Sequence, residues 1–340
     1  MIERIGRRTL RLCPAPAILS EAAVGTKKEG EGPLGGALHH IFADSFAGQT
    51  TWEMAEAAIH RKALLLALER AGLSDGDVDL VLAGDLLNQC MSTSFALRDV
   101  QIPLAGMYGA CSTMALTLGM GAILTACGAA ERVAASTSSH FCAAEKQFRM
   151  PLEYGGQRAP TAQWTATAAG AAILGGTQGD VRVEAVHFGT VTDYGVKDSG
   201  NMGAAMAPAA CRTIADMLED LQLPITSLDM ILTGDLGAVG SELLCTLLRR
   251  ERGLTIESVH RDCGCLLYDA SQDVHAGASG CGCSAAVLCA HILPQMRCGT
   301  LRRVLFAGTG ALLSGVSPLQ GETIPCITHA VLLTAGEAGE

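Results

Sequence analysis

Cys111 is the residue whose setting first suggests chemistry. It stands in Met107–Ala130 (MYGACSTMALTLGMGAILTACGAA), a run without a charged side chain. Gly109 and Ala110 form a small-residue turn ahead of Cys111, Ser112 and Thr113, and a long apolar stretch follows. Ser or Thr before such a stretch is a helix-start signal. The thiol is therefore expected in the first turn of a helix, where free N–H groups and the positive dipole end favour thiolate. That is the setting of a nucleophile able to carry an acyl group, although most cysteines on apolar stretches are inert core residues. The run is long enough to span a bilayer. Thr117, Gly119, Gly121 and Thr125 interrupt it, however, and charged Glu131-Arg132 leads out of it. It reads as a helix buried on all sides in a large α/β protein.

A second Cys-Ser pair, Cys283-Ser284, opens another apolar run, and the sequence around it repeats the first half. LDMILTGDL, ending at Asp235-Leu236, matches VDLVLAGDL, ending at Asp85-Leu86. Arg303-Val304-Leu305 answers Arg132-Val133-Ala134, and His329–Thr334 answers Gly170–Leu174. Such self-similarity predicts two copies of one strand–helix unit, related by a pseudo-twofold, with boundaries at 1–180 and 181–340. Strands alternating with helices predict a mixed, largely parallel sheet in each copy. The second copy carries an additional loop with His260, Arg261, Asp262 and Cys263 before its Cys-Ser pair. Thr51–Gly72 reads as an amphipathic helix, with Thr50 or Thr51 as cap and Gly72 as terminator. Val78–Ala83 and Arg132–Ser139 read as buried strands, and Gly170 in the next strand permits a close approach. Asp85 and Asp235, just past matching strands, are expected to cap helices. Glu145–Gln157 is a charged, aromatic loop in an otherwise bland chain, placed where loops carry function.

The chain has 340 residues, 49% hydrophobic, with a net charge of −10. That size allows two domains or one large two-part unit. The acidic balance and the lack of a basic aromatic stripe argue against a nucleic-acid partner. Four arginines lie within the first eleven residues, with no apolar stretch of signal-peptide length after them, so the expected location is cytoplasmic. The 14 cysteines are scattered, as in reduced, buried thiols. Cys263-x-Cys265 and Cys281-x-Cys283 lack the usual zinc spacing and read as tight turns. No calcium-loop pattern is found, and neither a metal nor a cofactor is expected.

Segments Leu80–Gln89, 109–113 (GACST), 137–140 (TSSH), 144–157 (AEKQFRMPLEYGGQ), 202–210 (MGAAMAPAA), 231–241 (ILTGDLGAVGS) and 309–314 (TGALLS) together resemble the stage V sporulation protein AD family. The resemblance runs roughly from Pro33 to Ala335. It implies a thiolase-like fold, the fold of enzymes that form acyl-cysteine intermediates. It also implies a dipicolinic acid (pyridine-2,6-dicarboxylate) binding protein that serves spore uptake of that ligand. Location at the spore inner membrane, contact with other membrane transport subunits and a homodimer are further implications. A condensing enzyme of this fold needs His and Asn or His partners for its cysteine. At the corresponding places the chain has Thr233-Gly234-Asp235 and Gly280-Cys281-Gly282-Cys283. Binding is thus expected over catalysis, with acyl transfer by Cys111 as the alternative. For a flat dianion, the two helix starts at Cys111-Ser112 and Cys283-Ser284 would offer N–H groups. Arg149 and Lys146 would meet carboxylates, Phe148 or Tyr154 would cover the ring, and His140 would line the pocket. The acidic Asp85, Asp235 and Asp262 would repel such a ligand unless protonated or paired.

Overall fold

The computed structural model describes residues 1–148 and 157–336. The first half supplies β1 (Ala17–Gly25), β2 (Leu80–Gly84), β3 (Leu104–Gly106), β4 (Val133–Ser139) and β5 (Ala168–Gly175). The second half supplies β6 (Val181–His187), β7 (Met230–Thr233), β8 (His260–Asp262), β9 (Arg303–Ala311) and β10 (Cys326–Ala335). Pairing repeats strand for strand. In the first half β3, β2 and β4 are parallel, and β5 is antiparallel to β4 and β1. In the second half β8, β7 and β9 are parallel, and β10 is antiparallel to β9 and β6. The expectation of a separate, largely parallel sheet in each copy needs correction. β1 and β6 pair antiparallel at Ile18/Val181 and Ala17/Arg182, which makes one continuous sheet. Antiparallel and parallel junctions are also balanced within each half, because β5 and β10 return against their neighbours.

Five helices account for the layers: α1 (Trp52–Ala71), α2 (Thr113–Ala126), α3 (Met202–Asp220), α4 (Gly237–Arg252) and α5 (Cys281–Val287). Their small and apolar residues divide the core into three parts. One part packs α1 on the first-half strands, with Ile59, Leu64, Val81 and Ile173. Another packs α3 and α4 on the second-half strands, with Met206, Ile214, Leu244 and Leu305. Between them, Met114 and Leu118 of α2 and Ala285 and Val287 of α5 meet strands from both halves. The molecule is therefore layered helix, strands, helices, strands, helix.

Local sequence explains these elements. The Thr51 side chain accepts from Met54 N–H, and Gly72 closes α1 at φ +67°. Strand β4 is rich in Ser yet wholly buried, because α1 brings polar partners to it. Ser136 bonds His60 and Ser138 bonds Glu56. Gly170 brings the sheet against α5, since a Cβ there would lie 2.6 Å from the Ala285 carbonyl oxygen. Gly310, near the end of β9, does the same at the turn before α2. A Cβ at Gly310 would collide with the Gly109 carbonyl and come within 3.0 Å of Ser112 N. Overpacking of this kind costs about 2 kcal/mol. Gly310→Ala is therefore expected to lower the unfolding free energy by about that much in denaturant titration, and an unchanged value would show that the turn yields.

Candidate functional site

Two turns, one from each half, meet at the centre. The first is a single 3₁₀ turn, Ala110–Ser112, directly before α2. Ala110 has φ +50°, a left-handed backbone that costs a non-glycine residue roughly 1–2 kcal/mol. That strained step aims Cys111 across at the second turn. There the α5 helix opens at Cys281, two residues earlier than the Cys-Ser repeat suggested. Cys111 Sγ lies 4.0 Å from Ser279 Oγ. Cys111 and Cys281 share a small apolar cluster with Leu86 and Ala144. Cys283, the expected counterpart of Cys111, is fully buried two residues further into α5.

Asp235 organises this junction. It is fully buried, and one carboxylate oxygen accepts from Ser279 Oγ (3.0 Å) and Gly280 N–H (2.8 Å). The other oxygen accepts from Thr309 Oγ1 at 2.7 Å. Sequence repetition gave Asp235 the role of Asp85, and here the structure differs. Asp85 does close its own loop, accepting from Leu87 N–H and from Thr93 N–H and Oγ1. In the second half Asp262 has that task. It accepts from Leu236 N–H, Gly237 N–H and Thr233 Oγ1. The expected additional loop at His260–Cys263 is instead strand β8, the counterpart of β3, and Asp262 stands at its end where the first half has Gly106. With Asp262 there, Asp235 reaches Ser279 and Gly280. Burial raises both acids, Asp262 to about 7.

Beside these turns is a pocket with mainly apolar walls: Leu86, Tyr108, Phe148, Met202 and Leu313, with Cys111 and Ser279 at its base and Glu145 at its side. Among the described residues no histidine, lysine or arginine lines it. His140 is buried elsewhere, its Nε2 donating to the Ser45 carbonyl at 2.8 Å and its Nδ1 accepting from Ala143 N–H. His260 is bonded to Thr233 Oγ1, and burial lowers its pKa to about 4. Lys146 faces a neighbouring groove, where it pairs with Glu53 at 2.9 Å. The Ser112 and Ser284 hydroxyls bond back to the carbonyls of Gly109 and Cys281. Arg149 and Tyr154 lie outside the described residues. Of the expected site residues, then, Cys111 and Phe148 line this pocket among those described. Ser279 and Asp235 are the functional positions that sequence reasoning missed. The only signal for Asp235 was its place after a strand, which it shares with Asp85.

The electrostatics oppose a nucleophile. Burial pushes the Cys111 thiol well above its ordinary value, and the Asp235 charge pushes it further. Removing the Asp235 acceptor would leave a buried N–H and two hydroxyls unsatisfied. Asp235→Ala should therefore lose about 3 kcal/mol in denaturant unfolding. A loss below about 0.5 kcal/mol, the range of an ordinary surface change, would show that the junction does not rely on it.

A family model described as "Stage V sporulation protein AD (SpoVAD)" matches residues 6–334. Stage V sporulation protein AD of Bacillus subtilis (strain 168) is 44% identical over 305 residues, covering 90% of each chain. Among solved structures, 3-oxoacyl-[acyl-carrier-protein] synthase III from Aquifex aeolicus VF5 is similar, with a TM-score of 0.60 and 12% identity. It covers 94% of this chain and all of that one. The synthase III of Pseudomonas aeruginosa PAO1 gives a TM-score of 0.57 at 13% identity, covering 94% of this chain and 98% of that one. At such identity these neighbours establish the thiolase-like fold and nothing of the chemistry.

Proposed function

The chain belongs to the stage V sporulation protein AD family, and on that footing we propose that it is a non-catalytic dipicolinic acid binding protein of the spore uptake machinery. The observation that carries the non-catalytic reading is the state of Cys111. A condensing cysteine needs a lowered pKa or an adjacent base. Cys111 has a buried carboxylate network beside it instead, and that network favours the neutral thiol. A neutral thiol at the base of an apolar pocket is a wall, not a nucleophile.

Tyr108 and Phe148 offer aromatic surface, and Leu86, Met202 and Leu313 complete an apolar slot. Asp235 does not present a free charge to an anion, since its oxygens are turned to Ser279, Gly280 and Thr309. The ligand's carboxylates still need a cation, and we assign that role to Arg149, the residue after Phe148 in the sequence. The reading includes a homodimer on the cytoplasmic side, held peripherally at the spore inner membrane by other transport subunits. It is in keeping with this that no helix among the described residues is long and apolar enough to cross a membrane.

Calorimetry with dipicolinate is expected to give saturable heat at about one ligand per chain. Arg149→Ala should weaken binding by about tenfold or more, as expected for a charge-assisted hydrogen bond. Phe148→Ala should weaken it by a few-fold through lost ring packing. An absence of heat at saturating dipicolinate would remove the reading. The rival is acyl transfer by Cys111, as the condensing enzymes of this fold perform it. Intact-mass measurement after incubation with acyl-CoA donors is expected to show no adduct. A mass gain that Cys111→Ala abolishes would favour the rival.

A further inference from the structure

A second polar cavity lies far from Cys111 in sequence and shares none of its lining residues. The N-terminal hairpin, Ile2–Ile5 with Thr9–Leu12, turns over at Gly6-Arg7-Arg8. That turn sits on Asp220, the last residue of α3. The Asp220 carboxylate accepts from the backbone N–H groups of Arg7 (3.3 Å), Arg8 (3.5 Å) and Thr9 (3.2 Å), and from Thr9 Oγ1 (2.7 Å). Gly6 has φ +56°, and a Cβ there would strike the same carboxylate. The seat thus fixes the turn so that Arg7 and Arg8 join Arg212 of α3 and Arg252, the last residue of α4, around one cavity.

This cluster has more donors than acceptors. Three guanidiniums converge on the single carboxylate of Asp216: Arg8 at 3.3 Å, Arg252 at 3.7 Å and Arg212 at 3.9 Å. Only Arg8 is within hydrogen-bond distance. Asp220 is occupied by backbone N–H groups, which leaves Glu219 as the remaining acid of the lining. A locally positive cavity on a chain of net charge −10 is suited to an anion. Planar guanidinium forks match the oxygens of a phosphate or carboxylate two at a time.

His187 narrows the choice. It lines the cavity and is 1% exposed. The Thr9 hydroxyl gives its one proton to Asp220, so its 2.9 Å bond with His187 uses the ring's Nδ1–H. The neutral ring then holds a bare acceptor at Nε2, which is buried without a partner among the described residues. A protonated phosphate monoester offers both acceptors for arginine and a P–OH donor for that nitrogen. Sulfate and carboxylates such as dipicolinate have no such proton near neutral pH. We propose that this cavity binds a phosphate-monoester anion, held by Arg7, Arg8, Arg212 and Arg252 with His187 accepting from the P–OH group.

The test is calorimetry of the full chain near pH 6.5 with inorganic phosphate, and separately with sulfate. Saturable phosphate binding is expected, about tenfold or more tighter than sulfate. Arg212→Gln and Arg7→Gln should each weaken it by about tenfold, the loss of one charge-assisted contact. Arg7 is exposed, so its variant keeps the test valid if Arg212→Gln perturbs folding. No saturable heat, equal affinity for sulfate, or unchanged affinity in both variants would overturn the proposal. Sedimentation with phosphatidylcholine vesicles carrying phosphatidic acid separates the sources. Co-sedimentation that soluble phosphate competes away identifies a lipid headgroup. Phosphate binding without co-sedimentation identifies a soluble monoester.

Discussion

The carboxylate of Asp235 ties the centre of the molecule together. It sits just past β7, holds Thr309 of β9 on one oxygen, and holds the turn before α5 on the other. That link acts together with β4, whose Thr137 and Ser139 side chains also hold the start of α5. Burial first, and the Asp235 charge second, keep the Cys111 thiol neutral. A helix dipole would favour the thiolate by about 0.3–1 kcal/mol. A full negative charge a few ångströms away opposes it by about 4 kcal/mol at an effective dielectric near 20. Burial opposes it further. The carboxylate and burial win, and the helix start loses its activating effect.

The two halves share one strand plan but have diverged where it matters. In the first half Asp85 closes the loop after β2 on itself. In the second half Asp262, at the end of β8, takes the N–H groups of Leu236 and Gly237, and Asp235 is turned to the start of α5 and to β9. A condensing cysteine requires proton-handling partners within reach. In this chain the space is occupied by an acid, hydroxyls and a backbone N–H. The pocket beside them keeps its apolar walls.

Much of this architecture was legible in the sequence because it rests on short-range rules. Thr51 and Gly72 mark the ends of α1 through hydrogen bonding and backbone freedom alone. The repeat VDLVLAGDL and LDMILTGDL gives matching strands because burial on both faces demands continuous apolar runs. The β1/β6 junction was not legible, since two residue pairs leave no compositional trace. The site was harder still. A histidine after a strand gives no sign of which carbonyl it will find, and His140 finds Ser45. The charge of Lys146 suggests a ligand contact, but the residue faces the neighbouring groove and pairs with Glu53. Asp235 and Asp85 look alike in sequence, and only the distant Asp262 makes their roles differ.

The most direct test is the pH dependence of Cys111 alkylation, followed by peptide mass mapping, in the native chain and in Asp235→Asn. The account predicts a midpoint above the ordinary thiol value of 9.0 in the native chain and a lower midpoint in the variant. A native midpoint below that value, or one that Asp235→Asn leaves in place, would contradict it.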